Sequence, residues 1–257
     1  MAPPLTWLFV PADRPDRVEQ ALASDAHAVI VDLEDGVTPN RKEEARRNLA
    51  VLATPQPKPV YVRVNPRDED DLAAVGGLPL AGIVVPKVER ASDIPDGPVV
   101  ALVETALGLE RAFDLAQHPS VVGLAIGEAD LASQTGARGS GLDWARARVV
   151  NAAVAAGLPR PPQAVYMHVR DLAGLAAACA HARDLGHLGG MAIHPDQLPV
   201  IERAYRPTEL ELDTARATLE RLAADGVGTI DGGAFVDPAL LGGAQQVIAI
   251  ADAYGTA

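Results

Sequence analysis

Residues 28–36 read Ala-Val-Ile-Val-Asp-Leu-Glu-Asp-Gly. Four apolar residues, three of them β-branched, run without a polar break and then meet Asp32, Glu34 and Asp35. An unbroken apolar run suits a strand buried on both faces, as in a parallel sheet. Comparable runs occupy residues 5–10, 60–64, 82–86, 99–103, 121–126, 164–167 and 190–193, which makes eight. Between them lie alanine- and arginine-rich stretches with helical spacing: residues 13–23, 40–52, 92–96, 107–116, 144–156 and 171–185. In the last of these Leu172, Leu175, Ala176, Cys179 and Ala182 share one face. Eight strand–helix repeats predict an α/β chain folded as a (β/α)8 TIM barrel over residues 1–206. A doubly wound open sheet is the alternative, because periodicity does not show closure, and the count of eight favours the barrel.

Beyond residue 206 the pattern changes. A charged helix is expected over 208–224, then a glycine-rich hairpin turning at Asp231-Gly232, then an apolar helix over 238–253. Residues 207–257 are too few for a second core. They read as a helix–hairpin–helix arm packing on the barrel or on a neighbouring subunit.

Composition narrows the function. The net charge of −12 repels a phosphate backbone, so nucleic acid is not expected as a partner. The single cysteine, Cys179, excludes an intramolecular disulfide and reads as a buried thiol. No basic-then-apolar leader and no run of ~18 apolar residues occurs, which points to a cytoplasmic protein with no membrane partner.

A barrel gathers its chemistry where the strands stop. Those positions hold Asp32, Glu34 and Asp35, then Arg63 and Asn65, Lys87 and Glu89, Glu104, Glu128 and Asp130, and His194. Each charge alone fits a solvated loop, but charge closing nearly every strand describes a site. Glu104 and Asp130 close consecutive strands, and two hard oxygen donors with water suit Mg²⁺. No His-x-His or His-x-x-x-His pair favours zinc. The alternative for either carboxylate is a helix cap or an ion pair. Arg63 offers a fork for a carboxylate or phosphate, or else an ion pair to the acids of the neighbouring strand. Lys87, one of three lysines, could act as a Schiff-base nucleophile, although nearby carboxylates would keep it charged. His168 and His194 are candidate bases, with His194 the better placed. Residues 136–141 read as a flexible loop, a candidate lid. Asp237-Pro238 reads first as a helix cap followed by proline at the first helical position.

Eight ordered segments carry a resemblance. They are Leu8-Phe-Val-Pro-Ala-Asp-Arg-Pro15, Val31-Asp-Leu-Glu-Asp-Gly36, Val62-Arg-Val-Asn65, Val85-Pro-Lys-Val-Glu89, Val103-Glu-Thr-Ala106, Gly127-Glu-Ala-Asp-Leu131, Ala192-Ile-His-Pro-Asp-Gln197 and Phe235-Val-Asp-Pro238. Together they resemble the citrate lyase β subunit-like branch of the HpcH/HpaI aldolase group over nearly the whole chain. The resemblance implies a (β/α)8 barrel assembled as a homotrimer or dimer of trimers. It implies cleavage of a 3-hydroxyacyl thioester (citryl, citramalyl or malyl, on coenzyme A or an acyl carrier) into an acetyl or propionyl thioester and a 2-oxoacid such as oxaloacetate. By the same resemblance Glu104 and Asp130 hold Mg²⁺, Arg63 grips the oxoacid and Glu34 is a neighbouring carboxylate. Phe9 and Arg14 match contacts to coenzyme A, and the pairs Ala129–Asp130 and Ile193–His194 match substrate contacts. Asp237 matches an acid that the arm delivers to a neighbouring subunit's site. Two positions depart from the pattern: Glu128 stands one residue earlier than the family's usual Gly-Ala-Glu-Asp, and Gln20 replaces a coenzyme-binding lysine. Related outcomes are a malyl-CoA thioesterase or malate synthase-like activity, a Lys87 Schiff-base aldolase, and a lyase subunit active only with an acyl-carrier partner.

Overall fold

The computed structural model describes residues 3–230 and 233–257, with the side chain of Asp225 excepted. The chain divides into a larger unit, Pro4–Ile201, and a smaller one that joins the N-terminal residues to Glu202–Ala257.

In the larger unit seven strands form one parallel sheet: β1 (Thr6–Pro11), β2 (Ala28–Asp32), β3 (Val60–Arg63), β4 (Gly82–Val85), β5 (Val99–Val103), β6 (Val121–Ile126) and β7 (Gly190–Ala192). Their order is β6-β5-β4-β3-β2-β1-β7. The helices between them are α1 (Pro15–Ala23), α2 (Lys42–Asn48), α3 (Glu69–Val75), α4 (Ala106–Glu110), α5 (Ala112–Ala116), α6 (Glu128–Thr135), α7 (Asp143–Ala155) and α8 (Leu172–Asp184), and α9 (Leu198–Tyr205) follows β7. The expected 107–116 helix is broken at Arg111, whose φ of −96° and ψ of 7° interrupt it.

The sheet is curled. Trp7, Ala28, Ile30, Val84, Val100, Leu102, Ala125 and Met191 form one buried cluster, with Phe9, Tyr61 and Val165 packed against it. Six of the seven strands supply that cluster and β3 packs Tyr61 against it, which a flat sheet cannot arrange, so this is a parallel half-barrel of the TIM-barrel type. The expected strand over 164–167 does not form. Its only ladder contact is the parallel bridge Gln163–Gly190, with β7. Pro161 and Pro162 have no N–H to extend that bridge N-terminally, and beyond it the Tyr166 carbonyl accepts from Gln197 Nε2 at 2.8 Å. Cys179 is buried as expected, and burial pushes its thiol up to about 12.

The smaller unit contains α10 (Glu209–Asp225), the two-residue antiparallel pair β8 (Gly228–Thr229) and β9 (Phe235–Val236), and α11 (Leu241–Tyr254). Thr208 caps α10 reciprocally with Glu211. The expected turn at Asp231-Gly232 lies outside the described residues. Among the described residues no helix is long and apolar enough to cross a membrane.

Candidate active site

The alternation that fills the half-barrel also builds the site. Side chains two apart on a strand face the same way. Ala28 and Ile30 point into the cluster, so Asp32 follows them; Tyr61 is followed by Arg63, and Leu102 by Glu104. The inward layer therefore turns from apolar to charged at the C-terminal strand ends. β2 and β3 are parallel neighbours with Asp32 and Arg63 in register.

That register makes a fork. Arg63 Nε donates to Asp32 Oδ1 at 2.7 Å and Nη2 to Asp32 Oδ2 at 2.6 Å. Its Nη1 lies 2.9 Å from Glu34 Oε2 but off the hydrogen-bond direction, so this buried oxygen has no aligned donor. Phe9 lies under the guanidinium, 5.0 Å from ring centroid to carbon. Burial works against the Arg63 charge, yet the bonds and fields of Asp32 and Glu34 raise its pKa well above the ordinary value. Asp32 also accepts the backbone N–H groups of Glu34 and Gly36, each at 2.9 Å. A Cβ at Gly36 would sit 2.5 Å from Asp32 Oδ2, so the turn requires glycine. Lys42 reaches over from α2 to donate to the carbonyls of Leu33 (2.5 Å) and Glu34 (2.7 Å) and to Asn65 Oδ1 (2.8 Å).

The second half of the site surrounds Lys87. Its φ of 54° places a side-chain-bearing residue in the left-handed region, which costs ~1–2 kcal/mol. In that conformation its backbone N–H donates to Glu104 Oε1 at 3.0 Å. Its ammonium lies 2.5 Å from Glu34, 3.5 Å from Glu104, 3.7 Å from Asp130 and 3.9 Å from Asp35. Burial opposes the Lys87 charge, but the hydrogen bond to Glu34 and the field of Glu104 drive its pKa well up. Glu104 is 2% exposed. Burial pushes its carboxyl up to about 7; Glu34 and Asp130 add to the rise while Lys87 opposes it. Burial also raises Glu34, against Arg63 and Lys87. Gly127 leaves room for Glu104, since a Cβ there would press on the Glu104 side chain. Asp130 stands in the first turn of α6, where the helix dipole favours an acid. Among the described residues no three His, Cys, Asp or Glu side chains are arranged to hold a metal by themselves.

A cavity of about 780 Å³ opens beside these groups, although Glu34 and Lys87 are not in its lining. Phe9, Arg63, Glu104, Ala129, Asp130 and Ile193 all line it. Arg14 and His194 do not belong to that lining. Arg14 pairs with Asp16 at 2.9 Å, and His194 Nδ1 accepts the Asp196 N–H at 3.2 Å as a helix cap. His168, ranked second on sequence, is the histidine that lines the cavity. Asp237 belongs to the smaller unit, where its carboxylate accepts the Ala239 N–H at 2.9 Å. Sequence reasoning passed over Lys42 and placed Asn65 at a strand end without a role; both hold the strand ends rather than face the cavity. Their signal was only that Asn65 follows Arg63 by two positions. The displaced Glu128 is anchored by Arg146 Nε at 2.8 Å, and Arg146 Nη1 also holds Asp143 at 2.6 Å.

Comparisons with known proteins agree with this geometry. The profile described as HpcH/HpaI aldolase/citrate lyase matches residues 5–96 and 94–195. A (3S)-malyl-CoA thioesterase of Cereibacter sphaeroides is 32% identical, covering 96% of this chain and 94% of its own. A citrate lyase subunit beta-like protein of Mycobacterium tuberculosis is 34% identical over 94% of this chain and 93% of its own. The structure of CitE from M. tuberculosis in complex with magnesium, acetoacetate and coenzyme A superposes with a TM-score of 0.86 at 33% identity, covering 98% of both chains. With a half-barrel of this topology and carboxylates gathered at its strand ends, the chain belongs to the HpcH/HpaI aldolase/citrate lyase family, a family of lyases.

Proposed function

We propose that this chain is a Mg²⁺-dependent carbon–carbon lyase. It would cleave a 3-hydroxyacyl thioester of the citryl, citramalyl or malyl type into an acyl thioester and a 2-oxoacid. The observation that carries this reading is the deficit of positive charge at the strand ends: Glu34, Asp35, Glu104 and Asp130 all lie within 3.9 Å of one ammonium group. That donor set is entirely hard oxygen and fits a divalent cation. Glu104, held near neutrality by burial, would ionise fully against such a charge.

Glu104 and Asp130 would hold the metal. When bound it supplies Lewis-acid charge for an oxoacid carboxylate and a developing carbonyl oxygen. The residues of the chain do the rest. Arg63, immobilised by Asp32, orients the oxoacid carboxylate. Glu34, buried beside Arg63 and outside the cavity lining, holds that guanidinium in place, and His168 at the cavity wall accepts the proton of the substrate hydroxyl. The carbon–carbon bond then opens, its electron pair passing into the thioester as an enolate. Asp237 returns a proton to the enolate carbon, brought to the site by the 207–257 arm in a cytoplasmic homotrimer or dimer of trimers. Phe9, Arg14, Ala129, Ile193 and His194 complete the contacts to the thioester and oxoacid.

The malyl-CoA thioesterase relative favours a second reading, in which water intercepts the thioester and malate leaves whole. A Lys87 Schiff base has less support, because an ammonium set among four carboxylates is a poor nucleophile. The test is a coupled assay of the purified chain with malyl-, citramalyl- and citryl-CoA, MgCl₂ and EDTA. Metal-dependent 2-oxoacid release is expected. Free coenzyme A without an oxoacid replaces the lyase by the thioesterase. Silence that ends on adding an acyl-carrier partner assigns a dependent subunit.

A further inference from the structure

Two arginines line the cavity, and they are in opposite electrostatic states. Each nitrogen of Arg63 that can donate faces a carboxylate: Nε and Nη2 go to Asp32, and Nη1 lies against Glu34. Lys87 is likewise surrounded by acids. Arg138, by contrast, lines the same cavity with no side-chain hydrogen bond or ion pair among the described residues. Arg138 is exposed, and its unpaired guanidinium beside the cavity carboxylates presents a full donor fork to an anionic group of a bound substrate.

The position of Arg138 is built rather than incidental. It caps the 3-10 turn Gly139–Leu142 in an extended conformation. The adjoining carbonyl of Gly139 accepts from Arg146 Nη1 at 3.1 Å. The same guanidinium holds Glu128, two residues before Asp130, and Asp143, which His181 Nε2 approaches at 2.9 Å. One arginine thus ties the loop that carries Arg138 to the helix turn that carries Asp130. Both groups line the cavity.

Resting on the lyase reading above, we propose that Arg138 is a specificity-determining residue. It receives a second carboxylate on the oxoacid half of the substrate, the one that Glu104, Asp130 and Arg63 do not engage. Its charge would select a citryl-type thioester, whose released oxoacid is a dicarboxylate, over thioesters that carry hydrogen or methyl at that position. The phosphates of coenzyme A are a different anion for the same side chain, and the experiment separates them.

Arg138→Gln and the wild-type chain are assayed on citryl-CoA, citramalyl-CoA and the citryl thioester of N-acetylcysteamine, which has no phosphate. A charge-assisted contact predicts that the citryl-to-citramalyl ratio of kcat/KM falls about tenfold. The fall on the phosphate-free citryl thioester should be of the same size. An equal loss on both coenzyme A substrates that vanishes without phosphates overturns the proposal in favour of a carrier contact. An unchanged ratio overturns it outright. If wild-type protein cleaves none of the three, the lyase reading fails for the chain acting alone. The role of Arg138 is then decided by calorimetry with oxaloacetate and pyruvate in MgCl₂. About tenfold weaker oxaloacetate binding in Arg138→Gln with pyruvate unmoved upholds it; equal weakening, or none, overturns it.

Discussion

Two clusters of charge adjoin the same strand ends, and they differ in whether their accounts close. In the first, Asp71 is fully buried and every contact is answered. Arg46 Nε donates to it at 2.6 Å, and the backbone and side chain of Asn65 donate to its other oxygen at 2.7 and 2.6 Å. Arg46 also holds Asp68 at 2.9 Å, and Lys42 bonds Asn65 on its way to the Leu33 and Glu34 carbonyls. In the second, Arg63 and Lys87 serve Asp32, Glu34, Asp35, Glu104 and Asp130, and one buried Glu34 oxygen has no aligned donor. A satisfied ionic network is scaffold, while one left short of cations is poised to receive something. The first cluster, through Lys42, aims the second.

Substitutions should separate the two. Asp71→Ala strands buried donors and should cost about 3–5 kcal/mol of stability, read by calorimetric or denaturant unfolding. Retained stability would show that the first cluster is not scaffold. Glu104→Ala or Asp130→Ala should behave in the opposite manner, with turnover falling at least about a hundredfold, ~3–4 kcal/mol in the barrier. Unfolding without metal should be unaffected or slightly improved, since an under-compensated acid is removed. Near-normal 2-oxoacid release in either variant would remove the metal assignment.

The pH dependence sharpens the same contrast. The carboxyls of Glu104, pushed up to about 7, and Glu34, also raised, bind protons more tightly folded than unfolded. Their contribution is therefore complete below their ordinary value and is lost as pH rises through the folded pKa. Between roughly pH 4.5 and 7 the metal-free wild type should lose up to about 3 kcal/mol relative to Glu104→Gln. A difference that grows in the other direction would contradict the deficit. The smallest expected effect is that of Gly127→Ala. The new Cβ would press on Glu104 Oε2, costing ~1–3 kcal/mol and weakening Mg²⁺ binding by titration calorimetry.

Much of this was legible in the sequence because strand periodicity and strand-end chemistry are local. The run that closes on Asp32, Glu34 and Asp35 names both a buried strand and its functional end, and Arg63 is its register partner. What failed was non-local or hidden by another signal. The apolar letters of 164–167 mimic a strand, but the chain meets the ladder only at Gln163, and Gln197 holds the Tyr166 carbonyl instead of a neighbouring strand. Helix α6 is concealed in the sequence because the acids of residues 127–130 read as a strand-end motif, whereas Asp130 stands in the first turn of that helix. Helix α3 was signalled by Asp68, which caps it by accepting the Asp71 N–H, and by acids in the first turn. Sequence sets His194 ahead of His168, and only the fold shows that His168 borders the cavity while His194 caps a turn.

The segment that failed to become a strand has a consequence for evolvability. Seven strands constrain one another through their ladders, so a backbone shift in one is transmitted to its neighbours. Residues 164–168 are joined to the sheet by a single bridge at Gln163, with Gln197 Nε2 holding the Tyr166 carbonyl at 2.8 Å. Yet Ala164, Val165, Met167 and His168 line the cavity. This wall can change residue or length without disturbing a ladder, while the carboxylates opposite stay fixed on β2 and β5. Selection for a new acyl group would find its cheapest mutations along that seam.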